Sequence, residues 1–196
     1  MLSIVPLVSG GLDSTVMAFM FREEGITQYP LFINYGQLAA EREWRACNTS
    51  FARLKLPKPT LIDIAGFGKL IKSGLTDPSL DIVTKAFLPN RNLLFLVAAA
   101  SFAWQNEASA VAIGLLCEEH HLFPDQTANF LENSQETLRN AMFYDIKILA
   151  PLIKMTKRDI IELARLRNIG GTYSCHKGHE KPCGKCISCL ENMKSK

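Results

Sequence analysis

The apolar stretch LSIVPLV (Leu2–Val8) runs directly into SGGLDS (Ser9–Ser14), and a helical pattern begins near Ser14. This order predicts a buried strand, a tight loop and a helix. Two adjacent glycines let the backbone approach an anion closely, and the first-turn amides of the helix lack partners within it. The stretch therefore predicts an anion-binding loop at the carboxyl end of the first strand, where open α/β sheets bind their ligands.

The side chains of this loop support the same prediction. Ser9 and Ser14 place hydroxyl groups at its two ends, and Asp13 is either the N-cap of the helix or a carboxylate that reaches a phosphate-bound Mg²⁺. The GxxxxGK[ST] spacing of a Walker loop is missing from the sequence. An ordinary glycine turn is the alternative. The complete string favours nucleotide binding and resembles the PP-loop (SGGxDS) of ATP pyrophosphatases, which implies that ATP is cleaved at its α-phosphate.

Strand-like and helix-like segments alternate along the chain. We predict strands over residues 2–8, 29–34, 60–64, 110–115 and 146–149, and helices over 14–24, 39–54, 92–105, 130–141 and 156–167. Alternation of this kind predicts an α/β fold with a parallel sheet covered on both faces. Two segments interrupt it: a long loop over 66–87 that could exclude water from the site, and a polar loop over 117–127. The latter carries His120 and His121, which are either bases or simply solvated.

Composition is that of a globular protein. The chain has 196 residues, of which 47% are hydrophobic and 21% charged. No apolar stretch is long enough to cross a membrane, and the N-terminus lacks the pattern of a secretion signal, so we expect a cytoplasmic protein. Residues 147–196 carry a net charge of +7, against −4 for residues 1–146. This basic quarter either meets a phosphate-bearing or acidic partner or is a solvated surface.

Four cysteines lie close together near the C-terminus. Cys175, Cys183, Cys186 and Cys189 have the spacing C-x7-C-x2-C-x2-C, and Gly184 allows a tight turn between two of them. This spacing predicts a four-thiolate metal site, with Zn²⁺ as the expected ion and an iron–sulfur cluster as the alternative. Four thiolates leave no open coordination position, so the site is expected to be structural. We accordingly divide the chain into an ATP-binding α/β domain, 1–170, and a zinc-binding segment, 171–196, packed on it.

Several motifs together point to one family. SGGLDS and the cysteine segment are joined by NYGQ (Asn34–Gln37), LPNRN (Leu88–Asn92) and PLIKMTK (Pro151–Lys157), in an order that resembles the 7-cyano-7-deazaguanine synthase (QueC) family over nearly the whole chain. The resemblance implies a Rossmann-like fold, of the adenine nucleotide α-hydrolase type. It also implies an ATP-dependent, C–N bond-forming ligase that adenylates 7-carboxy-7-deazaguanine, releases pyrophosphate, and uses ammonia to form first an amide and then a nitrile.

The same resemblance implies a set of site residues. The expected ATP-binding residues belong to three motifs: Ser9, Gly10, Gly11, Leu12, Asp13, Ser14, Tyr35, Gly36, Gln37, Arg91 and Asn92. The residues expected to take part in catalysis are Asp13, Arg91, Asp125 and Lys157. Salt bridging at a helix start is the alternative for Arg91, and a surface position is the alternative for Lys157. The implied cofactors are ATP, Mg²⁺ and Zn²⁺.

The chain departs from the family pattern at the substrate loop. The family resembles G-V-N-x-x-D-x-S-G-Y-P-D-C-R there, whereas residues 114–127 read GLLCEEHHLFPDQT. Pro124 and Asp125 are kept, Glu119 stands for the first aspartate, and the Cys-Arg pair has become Gln126-Thr127. Asp125 remains a candidate for a magnesium or purine-edge contact. The loss of a cation and a thiol leaves the final product open.

Alternative functions follow from this departure. A QueC-like ligase could pass the activated deazaguanine acid to another amine, for example on an acceptor protein, as in bacterial anti-phage operons. A PP-loop tRNA-modifying enzyme and a non-enzymatic nucleotide-binding subunit are further readings, although we do not expect nucleic acid as a partner. The expected partners are the small-molecule acid and ammonia. We expect a homodimer or a complex with a partner protein.

Overall fold

A computed structural model describes residues 2–117 and 123–194. Its strands are β1 (Ser3–Val8), β2 (Thr27–Gln28), β3 (Leu31–Asn34), β4 (Thr60–Asp63), β5 (Ala110–Ala112) and β6 (Lys147–Leu149). All recorded strand pairs are parallel, and the order across the sheet is β4-β3-β1-β5-β6, with β2 also beside β1. The chain winds outward from β1 in both directions, so β1 lies at the point where the winding reverses.

The helices of the model cover both faces of this sheet. They are α1 (Leu12–Glu23), α2 (Ala40–Arg53), α3 (Gly66–Leu70), α4 (Arg91–Gln105), α5 (Ala128–Met142), α6 (Lys157–Leu166) and α7 (Ile187–Lys194), and residues Pro124–Gln126 form a 3₁₀ turn. One hydrophobic layer unites side chains of α1, α2 and α6, and a second unites those of α4 and α5. Strand β1 serves both layers because its side chains alternate: Ile4 and Val8 lie in the first, Val5 and Leu7 in the second.

The predicted α/β class is confirmed, and each predicted strand and helix is present to within three residues at its ends. The prediction over 29–34 becomes β3 preceded by the short β2. Pro30 separates the two pieces because proline has no backbone N–H to donate to a neighbouring strand. None of the helices in the two described ranges has the length and apolar character needed to span a membrane.

The prediction of a long loop over 66–87 is wrong in part. Its first residues form α3, and Leu75 and Ile82 further along are buried against three of the C-terminal cysteines, Cys175, Cys186 and Cys189. The segment therefore supports the cysteine cluster as part of a small third hydrophobic group. Helix α7, which begins between the last two cysteines, was not predicted either.

The division at residue 170 stays a prediction, but the contacts of the C-terminal segment are clear. The backbone N–H of Tyr173 donates to the Gly10 carbonyl at 2.9 Å. Gly178 has a positive φ, and a Cβ there would lie 2.5 Å from the Leu38 carbonyl oxygen. The segment after residue 170 thus packs closely on the loops that follow β1 and β3.

Candidate active site

The SGGLDS loop leaves β1 at its carboxyl end and turns into α1. Gly10 makes this turn with φ +74, a left-handed conformation that glycine adopts without strain. A Cβ at Gly10 would lie 2.3 Å from the Glu43 carbonyl oxygen and 2.9 Å from the Cys47 nitrogen. Helix α2 therefore packs directly against the loop. Gly11 is the N-cap of α1 and has no side chain to cover the amides of the first turn.

Hydroxyl groups brace the loop from within. The Ser9 N–H donates to Ser14 Oγ at 3.1 Å, and the two hydroxyls lie 3.2 Å apart. The Gly11 carbonyl accepts from both Ser14 Oγ and Thr15 Oγ1, at 3.3 and 2.8 Å. These bonds fix the loop before a ligand arrives, which lowers the entropic cost of binding.

Two adjoining chambers open above the loop. The inner chamber, of about 300 Å³, lies over the carboxyl ends of β1, β3 and β5; the outer chamber, of about 230 Å³, lies between the loop and the C-terminal cysteine segment. Eight residues line both chambers: Ser9, Gly11, Asp13, Glu43, Leu75, Arg91, Gln126 and His176. This is the position at which open α/β sheets bind ligands, beside the strand where the winding reverses.

The Tyr35-Gly36-Gln37 turn forms one wall of the inner chamber. Tyr35 and Gln37 line it, whereas Gly36 packs against Ala65, whose carbonyl oxygen would lie 2.7 Å from a Cβ at Gly36. Gln37 is held at both ends of its amide. Its Oε1 accepts from the Tyr35 N–H at 3.0 Å, and its Nε2 donates to Glu43 Oε2 at 2.9 Å.

Arg91 is the first residue of α4 and lines both chambers, with its guanidinium carbon 5.9 Å from the centre of the Phe95 ring. Asn92 and Asp125 fix this helix end. The Asn92 N–H donates to Asp125 Oδ2 at 3.2 Å, and Asn92 Nδ2 donates to the Asp125 carbonyl at 2.8 Å. Asp125 thus places a carboxylate at the N-terminus of α4, where the helix dipole favours it. Asp125 itself lines neither of the two chambers.

Asp13 and Lys157 form an ion pair across the mouth of the site. Lys157 Nζ lies 2.7 Å from Asp13 Oδ1, and the lysine side chain is 6% exposed against 30% for the aspartate. Lys157 begins α6, whose N-cap Thr156 forms a capping box with Asp159. Lys157 lines only the outer chamber, as does Leu12.

Burial shifts the protonation of several side chains around the chambers. It raises the pKa of the Glu43 carboxyl to about 7, although the hydrogen bond from Gln37 and the charge of Arg91 oppose the shift. It raises the pKa of Tyr35 to about 12 and lowers that of His176 to about 4, so both stay neutral near pH 7. His176 Nδ1 is buried and has no hydrogen-bond partner among the described residues.

The four C-terminal cysteines converge on one point. Their sulfur atoms all lie within 4.8 Å of one another, and three of the four side chains are buried. Backbone amides support the sulfurs: the Cys183 N–H donates to Cys175 Sγ at 3.4 Å and the Cys186 N–H to Cys183 Sγ at 3.3 Å. Gly184 has φ +69, which the turn between two ligands requires. A tetrahedral ion with bonds of about 2.3 Å would hold its sulfurs about 3.8 Å apart, so this donor set fits one metal ion.

Part of the substrate loop lies outside the described residues. This applies to Glu119, His120 and His121, and to Leu122 beside them. Of the same loop, Gln126 lines both chambers, and its Oε1 accepts from the Phe123 N–H at 2.9 Å.

Comparison with known proteins decides the family. The model of the family described as queuosine biosynthesis protein QueC matches residues 3–195. The chain belongs to the QueC family. It is 33% identical to a 7-cyano-7-deazaguanine synthase of Nautilia profundicola, with 97% of this chain and 91% of that protein covered. A 7-cyano-7-deazaguanine synthase of Campylobacter jejuni is 29% identical, with 96% and 90% covered.

Solved structures share the fold of this QueC-family chain. NMN synthetase from Francisella tularensis aligns with a TM-score of 0.55 at 15% identity, covering 99% of this chain and 72% of that one. U34-tRNA thiolase NcsA from Methanococcus maripaludis, solved with its 4Fe-4S cluster, aligns with a TM-score of 0.54 at 17% identity, covering 99% and 64%. At these identities the likeness shows a shared fold alone.

The site residues expected from the motifs of this QueC-family chain do not include Glu43 and His176, two polar side chains that line both chambers. Glu43 lies six residues after Gln37 on a helix whose pattern is that of an ordinary surface helix. His176 directly follows Cys175, so its place in the sequence points to the metal site rather than to a chamber. The sequence does contain a signal for Glu43. A carboxylate one turn into the helix that follows the N-Y-G-Q turn faces the same strand end as that turn.

Proposed function

We propose that this protein is a 7-cyano-7-deazaguanine synthase that uses ATP to activate 7-carboxy-7-deazaguanine. The observation that carries the proposal is the braced SGGLDS loop, which opens onto two chambers at the reversal point of the sheet in a QueC-family chain. A loop of this kind binds phosphates through backbone amides and a helix N-terminus. The chambers together provide room for a nucleotide and a second small molecule.

ATP would lie across the ends of β1 and β3. The amides of the loop from Ser9 to Ser14 would hold its pyrophosphate, and the turn at Tyr35–Gln37 would face its adenine or ribose. Arg91 would face the α-phosphate or the substrate carboxylate, for which a planar guanidinium is suited. Asn92, with Asp125, would hold Arg91 in position through the first turn of α4.

The Asp13–Lys157 pair would help to neutralise the negative charge of the pyrophosphate, Asp13 through a bound Mg²⁺ and Lys157 directly. The Asp13 carboxylate can hold a phosphate-bound Mg²⁺, which when present neutralises charge on the leaving group. Lys157 would then be released from Asp13 to a phosphate oxygen. Because Lys157 is buried, its ammonium would act with little competition from water.

The first half-reaction forms an acyl-adenylate. An oxygen of the substrate carboxylate attacks the α-phosphorus of ATP, and the bond to pyrophosphate breaks with its electron pair leaving on pyrophosphate. Ammonia then forms a C–N bond to the acyl carbon, and AMP departs with the former carboxylate oxygen. A second ATP then adenylates the oxygen of the resulting amide, releasing pyrophosphate, and loss of AMP with that oxygen and of both protons from the nitrogen gives the nitrile.

The cysteine cluster would hold Zn²⁺ as a structural ion. Four thiolates complete a tetrahedral shell and leave no position for substrate. When bound there, zinc would cross-link Cys175 to the turn and helix start that carry Cys183, Cys186 and Cys189. This would fix the wall of the outer chamber that carries Ser174 and His176.

A second function is favoured by one observation, the altered substrate loop. Residues Gln126 and Thr127 stand where the family pattern has Cys-Arg, and Gln126 lines both chambers. A site without that cation could activate the same acid and yet deliver it to another amine, such as one on an acceptor protein. The product would then be a conjugate.

The product of one incubation distinguishes these functions. The protein is incubated with ATP, Mg²⁺, 7-carboxy-7-deazaguanine and ammonium, and the products are identified by mass spectrometry. Nitrile with AMP and pyrophosphate is the expected result. Amide alone would favour the ligase, as would a mass addition on a candidate acceptor protein included in a parallel incubation. No pyrophosphate release with this acid would refute both.

A further inference from the structure

Glu43 is a carboxylate at the junction of the two chambers, with no counterpart in the sequence-based assignment. It lines both chambers together with Asp13 and Arg91. Its backbone lies against Gly10, so the position of its side chain relative to the SGGLDS loop is fixed by the packing of α2. The Glu43 carboxylate therefore faces both chambers.

The hydrogen bonds of Gln37 determine where Glu43 can carry a proton. Gln37 Oε1 is occupied by the Tyr35 N–H, so the Gln37 amide group turned to Glu43 is the NH₂ group, which can only donate. Glu43 Oε2 must therefore accept. A proton bound by this carboxyl group resides on Oε1.

Compared with the charged and titratable side chains around it, Glu43 is the group expected to change protonation near neutral pH. Burial raises the pKa of Tyr35 to about 12, that of Cys47 to about 12, and that of Tyr173 still further. The guanidinium of Arg91 also lines both chambers, and Asp13 is paired with Lys157. Compared with these side chains and with His176, whose pKa burial lowers to about 4, Glu43 has the pKa closest to 7, because burial works against its charged form.

This position suits a requirement that the proposed reaction leaves unmet. Ammonia in water near pH 7 is almost entirely ammonium, which has no lone pair with which to attack an acyl-adenylate. We propose that Glu43 binds the ammonium ion between the two chambers and takes its proton on Oε1. The inference rests on the proposed function and adds to it the site and the activating base of the amine.

The protons and electrons of the step balance. Ammonium gives one proton to Glu43 Oε1, and the freed nitrogen lone pair forms the C–N bond to the acyl carbon. The C–O bond to AMP breaks, and its electron pair leaves on AMP. The second proton of the attacking nitrogen passes to the departing phosphate or to water, and Glu43 returns its own proton to solvent.

Two readouts on Glu43→Gln test this inference. Pyrophosphate exchange into ATP, driven by 7-carboxy-7-deazaguanine without ammonium, measures adenylation alone. Amide and nitrile formation at varied ammonium, between pH 6.5 and 9, measures capture of the amine. Hydroxylamine, which is uncharged near neutral pH, replaces ammonium in a parallel assay, since it needs no deprotonation. Glu41→Gln is the matched control, because Glu41 lies on the same helix and is exposed.

We expect Glu43→Gln to keep exchange within about twofold while kcat/KM for ammonium at pH 7 falls about 100-fold, a usual loss for a missing general base. The wild-type kcat/KM for total ammonium should rise through about pH 7, as Glu43 ionises, and then level off, whereas the variant, which must use free ammonia, should keep rising toward pH 9. Hydroxylamine should react equally well with both proteins. Glu41→Gln should match the wild type.

Two outcomes would overturn the inference alone. One is an equal loss of exchange and of amine capture, which would make Glu43 part of the ATP site or a folding determinant. The other is an unchanged kcat/KM for ammonium. Absence of acid-dependent exchange in the wild type is a different failure, because it would refute the proposed function and this inference with it.

Discussion

The buried ammonium of Lys157 and the partly exposed carboxylate of Asp13 hold each other in place at 2.7 Å, although 144 residues separate them in the chain. We expect Asp13→Ala to abolish AMP formation, a loss of at least about 100-fold, because the carboxylate proposed to hold the phosphate-bound Mg²⁺ is gone. The free energy of unfolding should fall by about 1–3 kcal/mol, since Lys157 stays buried without its partner. AMP release and urea unfolding measure the two effects. Glu23→Ala, which breaks an exposed ion pair with Arg167, is the control. Normal turnover by Asp13→Ala would remove Asp13 from the site.

The raised pKa of Glu43 also makes stability depend on pH. The folded protein holds this proton up to a pKa of about 7 and the unfolded chain only to its ordinary value, 4.5, so the native state binds more protons between them. Stability should therefore fall as pH rises through this window and stay lowered above it. Glu43→Gln should be more stable than the wild type at pH 8, by about 1–3 kcal/mol, and by much less at pH 4.5. Urea unfolding at both pH values measures this, and an equal effect at both would contradict the shift.

At the scale of elements, the SGGLDS loop and α2 pack so closely that there is no room for a side chain at Gly10. Gly10→Ala combines a left-handed φ with a Cβ inside contact distance of two backbone atoms of α2, so the helix or the loop must move. Gly25→Ala has a similar φ of +68 but meets no atom within 4 Å, which makes it the matched control. We expect Gly25→Ala to cost about 1 kcal/mol and Gly10→Ala about 3 kcal/mol or more, together with loss of ATP binding. Thermal unfolding and ATP titration compare them. Equal costs would contradict the close packing of α2.

The elements that could be predicted are those whose signal is local. β1, its loop and α1 follow from an apolar run, two glycines and a helical pattern in adjacent positions. Helix α3 was missed because its five residues, GFGKL, include two glycines and are too short to show a helical period. The position of Glu43 and the Asp13–Lys157 pair could not be predicted, because each depends on how distant helices pack around the loop. The motifs therefore predict a candidate site, and the packing of the helices adds residues that no motif indicates.

At the scale of the whole molecule, the cysteine segment joins parts that are far apart in the chain. It packs on Leu75 and Ile82, and Tyr173 bonds to the backbone of Gly10. Metal removal should therefore lower the melting temperature by about 10 °C or more and weaken ATP binding as well, since the loop loses a support. Calorimetry with and without a chelator, alongside elemental analysis, tests this. Zinc at one ion per chain is expected. An unchanged melting temperature would contradict a structural ion, and iron in its place would indicate a cluster.

The reaction proposed for the whole molecule transfers a carboxylate oxygen of the substrate to the α-phosphate of ATP. It can be followed directly with 7-carboxy-7-deazaguanine labelled with ¹⁸O in its carboxylate, incubated with the protein, ATP, Mg²⁺ and ammonium. Each AMP formed during conversion to the nitrile should carry one labelled oxygen, and the pyrophosphate should carry none. Unlabelled AMP, or ADP with labelled phosphate, would contradict activation of the acid at the α-phosphate.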